Sequence, residues 1–514
     1  MINNCSQWLL ASVLLVAVLL EYVRNSGSRK RLPPGPPGLP LIGNLLSVKR
    51  GFYFRDCIRW AKQYGPVLWI KLAFTNVVVL VDDTSIQKYL CKREMLNRPS
   101  NWTVQNNSKD EGNVTIAGIV ALSGQAWKEN RRLCMQILAD LGYGKESMHI
   151  RIQASTCLSE LSYISRYITA QEEAQHLVAK IAEAGGKPVL TREYLQASVL
   201  NNLAFYLFGD RHDLDDPRRR QLDALVAGFF ESGIDFSIEW LPGWLRRASQ
   251  RLFPTMRCSA VTRLTEDVTS YMRQEIERHR MMPESQRQRS LVDSFLREIE
   301  NHEHGDVTMS HLVGNVSDLA VAGTLTTTTT LQWHLVQLAL QPSGLQSQLQ
   351  RELDAAVGRE RPPAWEDRGR MPFTVAAIWE MYRWKVATPL GLPREAAEDT
   401  YVGKHFVPKG TVILANMWAA HMNPDRWQHP EKFHPARFLK PDGSAPLARP
   451  ANMFPFGVGK RMCPGEPLAQ AAVFLYLTSL LQKYRILPEE GSQLDIGGVF
   501  PSKVAAVKLR FLPR

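Results

Sequence analysis

The stretch Phe454–Glu466, FPFGVGKRMCPGE, contains residue types that could hold an anionic sulfur against a metal. Cys463 stands just before a predicted helix, PLAQAAVFLYLTSLLQKY, and a helix N-terminus offers free N–H groups and a partial positive charge. Both favour a thiolate over a thiol. Arg461 adds a cation two residues away, and three glycines permit tight turns. A buried cysteine that binds nothing is the alternative interpretation.

The same stretch resembles the haem-thiolate loop of cytochromes P-450, whose pattern is F-x-x-G-x-R-x-C-x-G. Phe456, Gly459, Arg461, Cys463 and Gly465 fill every fixed position. The resemblance implies haem b (iron protoporphyrin IX) as the cofactor, with the iron bound axially by Cys463. It also implies that Phe456 covers the sulfur and that Arg461 pairs with a haem propionate. A thiolate ligand pushes electron density onto the iron and favours O–O cleavage.

Two further motifs resemble those of the family. WEMYR contains Glu380 and Arg383 at the positions of the family's ExxR pair, and a spacing of three puts both on one helix face, where opposite charges meet. The later segment PEKFHPARF contains Arg437, which by resemblance completes a Glu–Arg–Arg cluster in the core. A solvated ion pair is the alternative, but the surrounding helix is largely apolar.

Two segments resemble the family's propionate contacts. WKENRR contains Trp127 and Arg131 at the positions of the family's WxxxR, and a spacing of four puts an indole and a guanidinium on one face. An ordinary surface arginine is the alternative for Arg131. PLGLPREA resembles the segment that passes beside the haem, and it would present Arg394 to a propionate.

A threonine-rich stretch lies inside a predicted long helix. Six of the seven residues at 324–330 are threonine, with apolar residues on both sides. By resemblance this is the family's distal helix, in which the small residues Ala322 and Gly323 leave room above the haem. Thr326 falls on the alcohol that assists proton delivery. We expect the threonines at 327–330 to bond to carbonyls one turn earlier.

Leu325 departs from the family pattern, which usually has an acid at this position. Asp318 lies eight residues before Thr326, about 12 Å along the helix axis, on roughly the same face. It cannot reach the same oxygen directly, although a water chain through Thr324 or Thr326 would connect them. Leu325 leaves two alternatives open: a haem-thiolate isomerase or dehydratase that needs no O2, and a haem-binding protein with little turnover.

The resemblance covers nearly the whole chain and implies a cytochrome P-450 fold, mainly α with a small β part. It implies a monooxygenase that inserts one atom of O2 into a lipophilic steroid, fatty acid, terpenoid or xenobiotic. GIVALSGQAWKENRR and TPLGLPREAAEDTYVGKHFVPKGT resemble the animal group that includes xenobiotic and steroid hydroxylases. The predicted substrate pocket includes Ile119, Val120, Leu390 and Val499.

Electrons must come from another protein, because no GxGxxG follows a predicted strand. By resemblance the donor is NADPH-cytochrome P-450 reductase, with cytochrome b5 as a further donor. Lys128, Arg132 and Lys460 flank the predicted haem contacts and would form a basic surface for an acidic partner. A solvated charged surface is the alternative.

The elements that must position these residues are mostly helical. Helical patterns dominate from about Ser85 to Tyr382, and a last helix at about 467–484 leads to a β-like tail. VLWIKLA, NVVVLVD and TVILANMW are strand-like. There is no internal repeat, so we predict one catalytic domain at 46–514, preceded by a stiff Pro/Gly-rich hinge at 31–45.

The N-terminus predicts a membrane anchor at residues 1–30. Trp8 to Leu20 is apolar except for Ser12, and at about 1.5 Å per residue it spans roughly 20 Å of a hydrocarbon core of about 30 Å, so an extension to Val23 is needed. A cleaved signal peptide is the alternative, but residues 1–7 contain no positive charge. Basic residues follow the apolar stretch, which predicts a lumenal N-terminus and a cytosolic catalytic domain at the endoplasmic reticulum membrane.

Charge and composition limit the partners. The chain of 514 residues has a net charge of +12, which suits nucleic acid, an anionic membrane or an acidic protein. Nucleic acid is not expected, because zinc-finger spacing and long lysine-rich runs are absent. The seven cysteines form no CxxC, which predicts a reduced compartment. The aromatic-rich segment Gly228–Arg247 either dips into the membrane or packs in the core.

Overall fold

The computed structural model describes residues 32–40, 42–47, 53–99, 118–141, 158–209, 216–232, 257–283, 287, 289–301, 307–444, 449–497 and 506–514. The predicted anchor at 1–30 and most of the aromatic-rich segment at 228–247 lie outside these ranges. In the described ranges, no helix has the length and apolar character that crossing a membrane requires.

Helices form most of the described chain, as the sequence predicts. They are α1 (Tyr53–Tyr64), α2 (Asp83–Leu90), α3 (Gly124–Asp140), α4 (Leu158–Ala182), α5 (Thr191–Phe208), α6 (Pro217–Ser232), α7 (Arg257–Met281), α8 (Leu291–Asn301), α9 (Met309–Leu340), α10 (Ser347–Ala356), α11 (Pro372–Trp384), α12 (Met417–His421) and α13 (Glu466–Lys483). The predicted last helix is confirmed to within a residue at each end, since a Pro/Gly-rich loop precedes α13 and a strand follows it.

The β part consists of small sheets. The strands are β1 (Val67–Leu72), β2 (Thr75–Leu80), β3 (Val189–Leu190), β4 (Arg394–Glu395), β5 (Thr400–Val402), β6 (His405–Val407), β7 (Val412–Ala415), β8 (Tyr484–Pro488) and β9 (Lys508–Pro513). Their order is β1-β2-β7-β4 in one sheet, β3-β9-β8 in another and β5-β6 in a hairpin. β2 and β7 pair in parallel with Val77 opposite Val412, while β1 and β2 pair antiparallel. The fold is therefore mainly α with a small β part.

The strand predicted in TVILANMW is shorter than expected. It ends at Ala415, because the next residue, Asn416, is the N-cap of α12. The Asn416 side chain accepts a hydrogen bond from the N–H of Ala419 at 3.0 Å, which is the usual way for asparagine to cap a helix. The strands predicted in VLWIKLA and NVVVLVD are confirmed as β1 and β2.

The longest helix, α9, passes through the core. Its 32 residues span about 48 Å at 1.5 Å per residue. Residues 327–339 are all buried, whereas at 318–326 only Ala320 and Thr324 are buried. Gly323 lets α9 approach α5, since a Cβ there would lie 2.8 Å from Leu203 Cδ1. The middle of α9 thus combines close packing on one side with an open face on another.

Part of the predicted hinge lies against the sheet. The N–H of Asn44 donates to the Lys71 carbonyl at 2.6 Å, and the N–H of Trp69 donates to the Pro34 carbonyl at 2.9 Å. Gly35 permits this approach, because a Cβ there would lie 1.9 Å from the Trp69 carbonyl oxygen. Pro34 and Asn44 are therefore held against β1 by backbone hydrogen bonds.

Candidate active site

The cysteine loop folds tightly before α13. Gly457 and Gly459 have φ values of 75° and 68°, which side chains with a Cβ rarely adopt. The turn brings the N–H of Cys463 to 2.8 Å from the Phe456 carbonyl oxygen. The N–H of Gly465 points at the Cys463 Sγ at 3.3 Å, as expected for a sulfur at the start of a helix. The glycines of the motif are thus needed to aim the sulfur.

The thiol of Cys463 lies in a recess. It is exposed, yet burial raises its pKa, and the Glu466 carboxylate raises it further. The N–H of Gly465 and the Arg131 guanidinium lower it. Arg131, from a different motif, is thus the guanidinium that acts on this thiol. A metal that displaces the thiol proton would therefore make the thiolate that this environment does not favour by itself.

Four arginines converge beside this loop. Burial and then the like charges of Arg98, Arg394 and Arg131 lower the pKa of Arg461 to about 8. Burial lowers the pKa of Arg98 to about 9, with Arg394 as the next cause. Asp318 is the acid that acts on Arg98 in the opposite direction. The cluster therefore has an excess of positive charge that a bound anion would neutralise.

Backbone carbonyls hold the arginines in place. Arg131 donates to the Met462 carbonyl at 2.7 Å, which joins α3 to the cysteine loop. Arg394 donates to the carbonyls of Leu90 and Val458. The acceptors for Arg461 are the carbonyls of Leu96, Ile119 and Leu122. Carbonyls orient these cations but supply no negative charge.

Trp127 lies within the arginine cluster. Its ring centroid is 3.8 Å from Arg461 Cζ and 5.9 Å from Arg131 Cζ. The indole is 3% exposed, and its Nε1–H has no hydrogen-bond acceptor among the described residues. A buried donor without an acceptor costs about 1–3 kcal/mol. A carboxylate bound here would satisfy both the indole and the arginines, so the residues fit the two propionates of a haem.

The structure brings the predicted Glu–Arg–Arg cluster together. Glu380 and Arg383 are each 0% exposed and form a bidentate pair at 2.7 and 2.8 Å. Arg437 donates to the Glu380 carboxylate at 3.1 Å, and the N–H of His434 donates to the same carboxylate at 2.7 Å. Arg383 also holds the His421 carbonyl at 2.8 Å. This cluster ties α11 to α12 and to the segment before the cysteine loop.

Phe456 links this core to the cysteine loop. Its ring packs edge-on against Tyr382 of α11, with centroids 5.0 Å apart. Its carbonyl accepts the hydrogen bond from Cys463 already described. The ring of Phe456 is therefore held against α11, the helix that the Glu380 cluster fixes.

The threonine stretch follows the expected pattern in part. Thr326 donates to the Ala322 carbonyl at 2.8 Å, Thr329 to the Leu325 carbonyl at 2.7 Å and Thr330 to the Thr326 carbonyl at 2.9 Å. Thr327 and Thr328 do not follow it: neither hydroxyl bonds to a carbonyl one turn earlier, and that of Thr328 is buried without a partner among the described residues. Ala322 is exposed and Thr326 is half-buried, so both lie on the open face of α9.

The predicted pocket residues do not all meet. Ile119 and Val120 lie against α9, since their N–H groups donate to the side chains of Asn315 at 3.0 Å and Asp318 at 2.9 Å. Leu390 is 5% exposed in a separate apolar cluster with Phe54, so its side chain offers a ligand little surface. Val499 lies outside the described residues.

One residue of the site was missed in the sequence. Arg98 stands alone in LNRPSNW, and its guanidinium reaches the carbonyls of Val120 at 2.8 Å and Pro393 at 2.7 Å. No spacing marks this residue, because its partners are backbone carbonyls that are distant in the sequence.

The fold and the site together define a haem-thiolate protein, in which one cysteine loop faces a cationic pocket. The family model for cytochrome P450 matches residues 33–500. The chain is 32% identical to cytochrome P450 2J3 of Rattus norvegicus, with 95% of this chain and 92% of that protein covered. It is 30% identical to cytochrome P450 2J2 of Homo sapiens, with 91% and 88% covered. For farnesoate epoxidase of Bombyx mori the identity is also 30%, with 93% and 92% covered.

The chain therefore belongs to the cytochrome P450 family and resembles its animal members. It is a cytochrome P450 monooxygenase, an enzyme whose cofactor is haem b with an axial cysteine thiolate. Cys463 is the cysteine of the loop that resembles the haem-thiolate loop of this family.

Proposed function

We propose that this monooxygenase inserts one atom of O2 into a lipophilic small molecule and reduces the other atom to water with electrons from a reductase. The observation that supports it most is the cluster beside Cys463, where three buried arginines, the half-buried Arg131 and the unsatisfied indole of Trp127 could bind an anionic group. When bound, the haem supplies the oxidising chemistry. The residues described next hold it, deliver protons and admit substrate.

The cofactor would be held from two sides. Cys463 would ligate the iron. Phe456, whose ring packs against Tyr382, would shield the sulfur. The propionates would take hydrogen bonds from Trp127 and from the arginine cluster, which consists of Arg98, Arg131, Arg394 and Arg461. Charge-assisted hydrogen bonds are roughly twice as strong as neutral ones, which suits carboxylates in this partly buried pocket.

Thr326 would carry protons on the opposite side of the cofactor. Its hydroxyl donates to the Ala322 carbonyl at 2.8 Å, so its oxygen keeps acceptor sites for water. Ala322, exposed one turn before Thr326, has no side chain beyond Cβ, which leaves space beside this hydroxyl. A hydroxyl that both accepts and donates can pass a proton without a change of charge.

The substrate would be a lipophilic molecule of the steroid, fatty acid, terpenoid or xenobiotic classes. The half-buried residues Val120, Leu319 and Leu325 give the open face of α9 an apolar lining. Such a lining favours apolar ligands, oriented by few polar groups. One relative is named for the epoxidation of farnesoate, which adds that compound to those worth testing.

The electron donor would dock beside the cysteine loop. Lys128 and Arg132 of α3 and Lys460 of the loop are all exposed. They flank Trp127 and Cys463 in the sequence. They therefore offer positive charge close to residues that would hold the cofactor. An acidic surface on NADPH-cytochrome P450 reductase, or on cytochrome b5, is the expected complement.

The protein would be held at the endoplasmic reticulum membrane by residues 1–30, with a lumenal N-terminus, a hinge at 31–45 and a cytosolic catalytic domain at 46–514. Exposed apolar side chains near the hinge support contact with a membrane. Leu39, Leu46 and Phe74 are 55%, 75% and 58% exposed. Gly43 pairs with both Leu39 and Leu72, which places these side chains in one region of the surface.

Reconstitution with reductase, NADPH and a panel of steroids, fatty acids, terpenoids and xenobiotics tests this function. Substrate-binding spectra would select the compounds, and hydroxylated or epoxidised products that require both NADPH and O2 are expected. Product that forms equally well without NADPH and O2 would contradict the proposal and support an isomerase or dehydratase. Binding spectra without any product from any selected compound would favour a haem-binding protein with little turnover.

A further inference from the structure

The open face of α9 contains one acid. Asp318, Ala322 and Thr326 are spaced by four residues, so they lie along one side of the helix. Ala322 is exposed, and Asp318 and Thr326 are half-buried, although the following thirteen residues of α9 are all buried. Leu325, beside Thr326, contains no proton that it could give. Asp318, two turns before Thr326, is thus the titratable group that α9 places on the same side as the Thr326 hydroxyl.

The two oxygens of Asp318 differ. Oδ2 accepts a hydrogen bond from the Val120 N–H at 2.9 Å, and it lies so near Gly118 that a Cβ there would be 2.4 Å away. Oδ1 accepts no hydrogen bond from the described residues, and it is not among their enclosed, partnerless atoms. One oxygen therefore orients the carboxyl, and the other remains available to water.

The charges around Asp318 suit a group that gains and loses a proton near neutrality. Burial raises its pKa to about 7, while the Val120 N–H and the Arg98 guanidinium act in the opposite direction. Cys134 of α3 also faces it, but its thiol stays neutral, since burial raises that pKa to about 12. Arg98 is thus the charged side chain that limits how far the pKa of Asp318 rises.

We propose that Asp318 is the acid that supplies protons to the Thr326 hydroxyl, in place of the acid that position 325 lacks; this rests on the monooxygenase function proposed above. The two residues are about 12 Å apart along the axis, a gap that a few water molecules bridge over the small side chain of Ala322. A proton leaves Oδ1 for the first water, and the last water gives one to the Thr326 oxygen as that hydroxyl releases its own proton to the open face of α9. The carboxylate takes a proton back from solvent water, so no oxidant or reductant enters the exchange.

Asp318→Asn separates this role from a structural one. The amide oxygen can still accept from the Val120 N–H, but the side chain has no acidic proton. We expect normal haem content and ligand binding, with product formed per NADPH consumed lower by at least about tenfold, because acid–base groups typically contribute 10²–10⁴-fold. Asp425→Asn, at an exposed position, is the matched control and should change nothing. Unaltered coupling in Asp318→Asn would overturn the proposal.

A rescue variant and a spectroscopic measurement complete the test. Leu325→Glu places an acid next to Thr326, so it should restore coupling in the Asp318→Asn background. Infrared difference spectra of the resting protein between pH 6 and pH 8 should show a protonated carboxyl that titrates and is lost in Asp318→Asn. Because this spectrum needs no turnover, it stays informative if no oxygenated product is found. The absence of such a band would overturn the assignment of Asp318 without touching the proposed function.

Discussion

Trp127 shows, at the residue scale, how the groups around Cys463 depend on a bound anion. Its indole packs 3.8 Å from the guanidinium of Arg461 and still has no acceptor for its N–H among the described residues. Neighbouring carbonyls occupy the arginines without neutralising them. The positive charge and the free N–H of these residues therefore suit a carboxylate, whether or not Cys463 binds a metal.

Trp127→Phe should weaken haem retention without unfolding the protein. Phenylalanine keeps most of the ring against Arg461 but removes one hydrogen bond to a carboxylate, worth about 1.5–3 kcal/mol. We expect haem loss to a scavenger protein to become about tenfold faster or more. Trp365→Phe is the matched control, because Arg368 lies 4.2 Å from its ring and far from Cys463 in the sequence. Equal rates of haem loss in the two variants would contradict the prediction.

Asp318 should make stability depend on pH. Its pKa in the folded protein, about 7, lies above the ordinary value of 3.8. The folded state therefore holds a proton that the unfolded state has lost between those values, and stability falls as the pH rises through that window. Relative to Asp318→Asn, the wild type should lose up to about 1.4 kcal/mol per pH unit between pH 5 and pH 7. Thermal unfolding of both proteins over this range measures the difference, and parallel curves would disprove it.

Single residues were predictable from the sequence where spacing identified them. Cys463, Trp127 and Arg131 stand in motifs whose spacing implies a shared face or loop. The acceptors of Arg461 could not be predicted, since they are backbone carbonyls from two other segments. Arg98 was missed for the same reason, because its acceptors are backbone atoms that the sequence does not bring together.

At the scale of elements, burial decides what the charged pairs are worth. Glu380 and Arg383 are three residues apart on α11 and fully buried, with Arg437 completing the cluster. Lys180 and Glu183 have the same spacing at the end of α4, but their side chains are 41% and 64% exposed. The sequence shows the spacing in both cases, and only the apolar surroundings indicated which pair is structural.

Glu380→Gln should be far more damaging than the equivalent change at the surface. It leaves two buried guanidinium groups without their carboxylate, at a cost of about 3–5 kcal/mol. Glu183→Gln should change stability by less than about 0.5 kcal/mol, because exposed pairs contribute little. Thermal unfolding and haem content of the two variants measure the contrast. A similar small loss in both would mean that the buried cluster does not hold α11 in place.

The elements themselves were largely predictable, but their exposed faces were not. The apolar residues around the threonine stretch predicted α9, and the glycines predicted the loop before α13. The sequence could not show which side of α9 is exposed, because six of the seven residues at 324–330 are threonine. The exposed side depends on how α9 packs against α5. The strand predicted in TVILANMW was longer than the observed strand. The Asn416 side chain caps α12 and so ends the strand, although the apolar pattern continues beyond it.

For the whole molecule, the surface has a basic side and an apolar patch. The exposed residues Lys128, Arg132 and Lys460 lie near the cysteine loop in the sequence, and the net charge of the chain is +12. Leu39, Leu46 and Phe74 form the apolar patch beside Gly43. The two features suit different partners, an acidic protein and a membrane.

A fluorophore at position 74 should detect the membrane. In the haem-loaded full chain, whose Cys463 would be bound to iron, and with Cys5, Cys91, Cys157 and Cys258 changed to serine, Phe74→Cys labelled with an environment-sensitive dye should shift to the blue on binding to phospholipid vesicles. Apolar side chains at an interface lie in the boundary between headgroups and acyl chains. Glu360→Cys, at an exposed polar position, is the control and should not shift. Equal responses at both positions would contradict a membrane contact at this patch.

Ligation of a haem iron by the Cys463 thiolate can be measured in the carbon monoxide difference spectrum of the reduced protein, because the position of the Soret band depends on the axial ligand. The wild type should show the band typical of thiolate ligation, and Cys463→His should replace it with the band typical of histidine ligation. A histidine-type band in the freshly prepared wild type, unchanged in Cys463→His, would show that Cys463 is not the ligand.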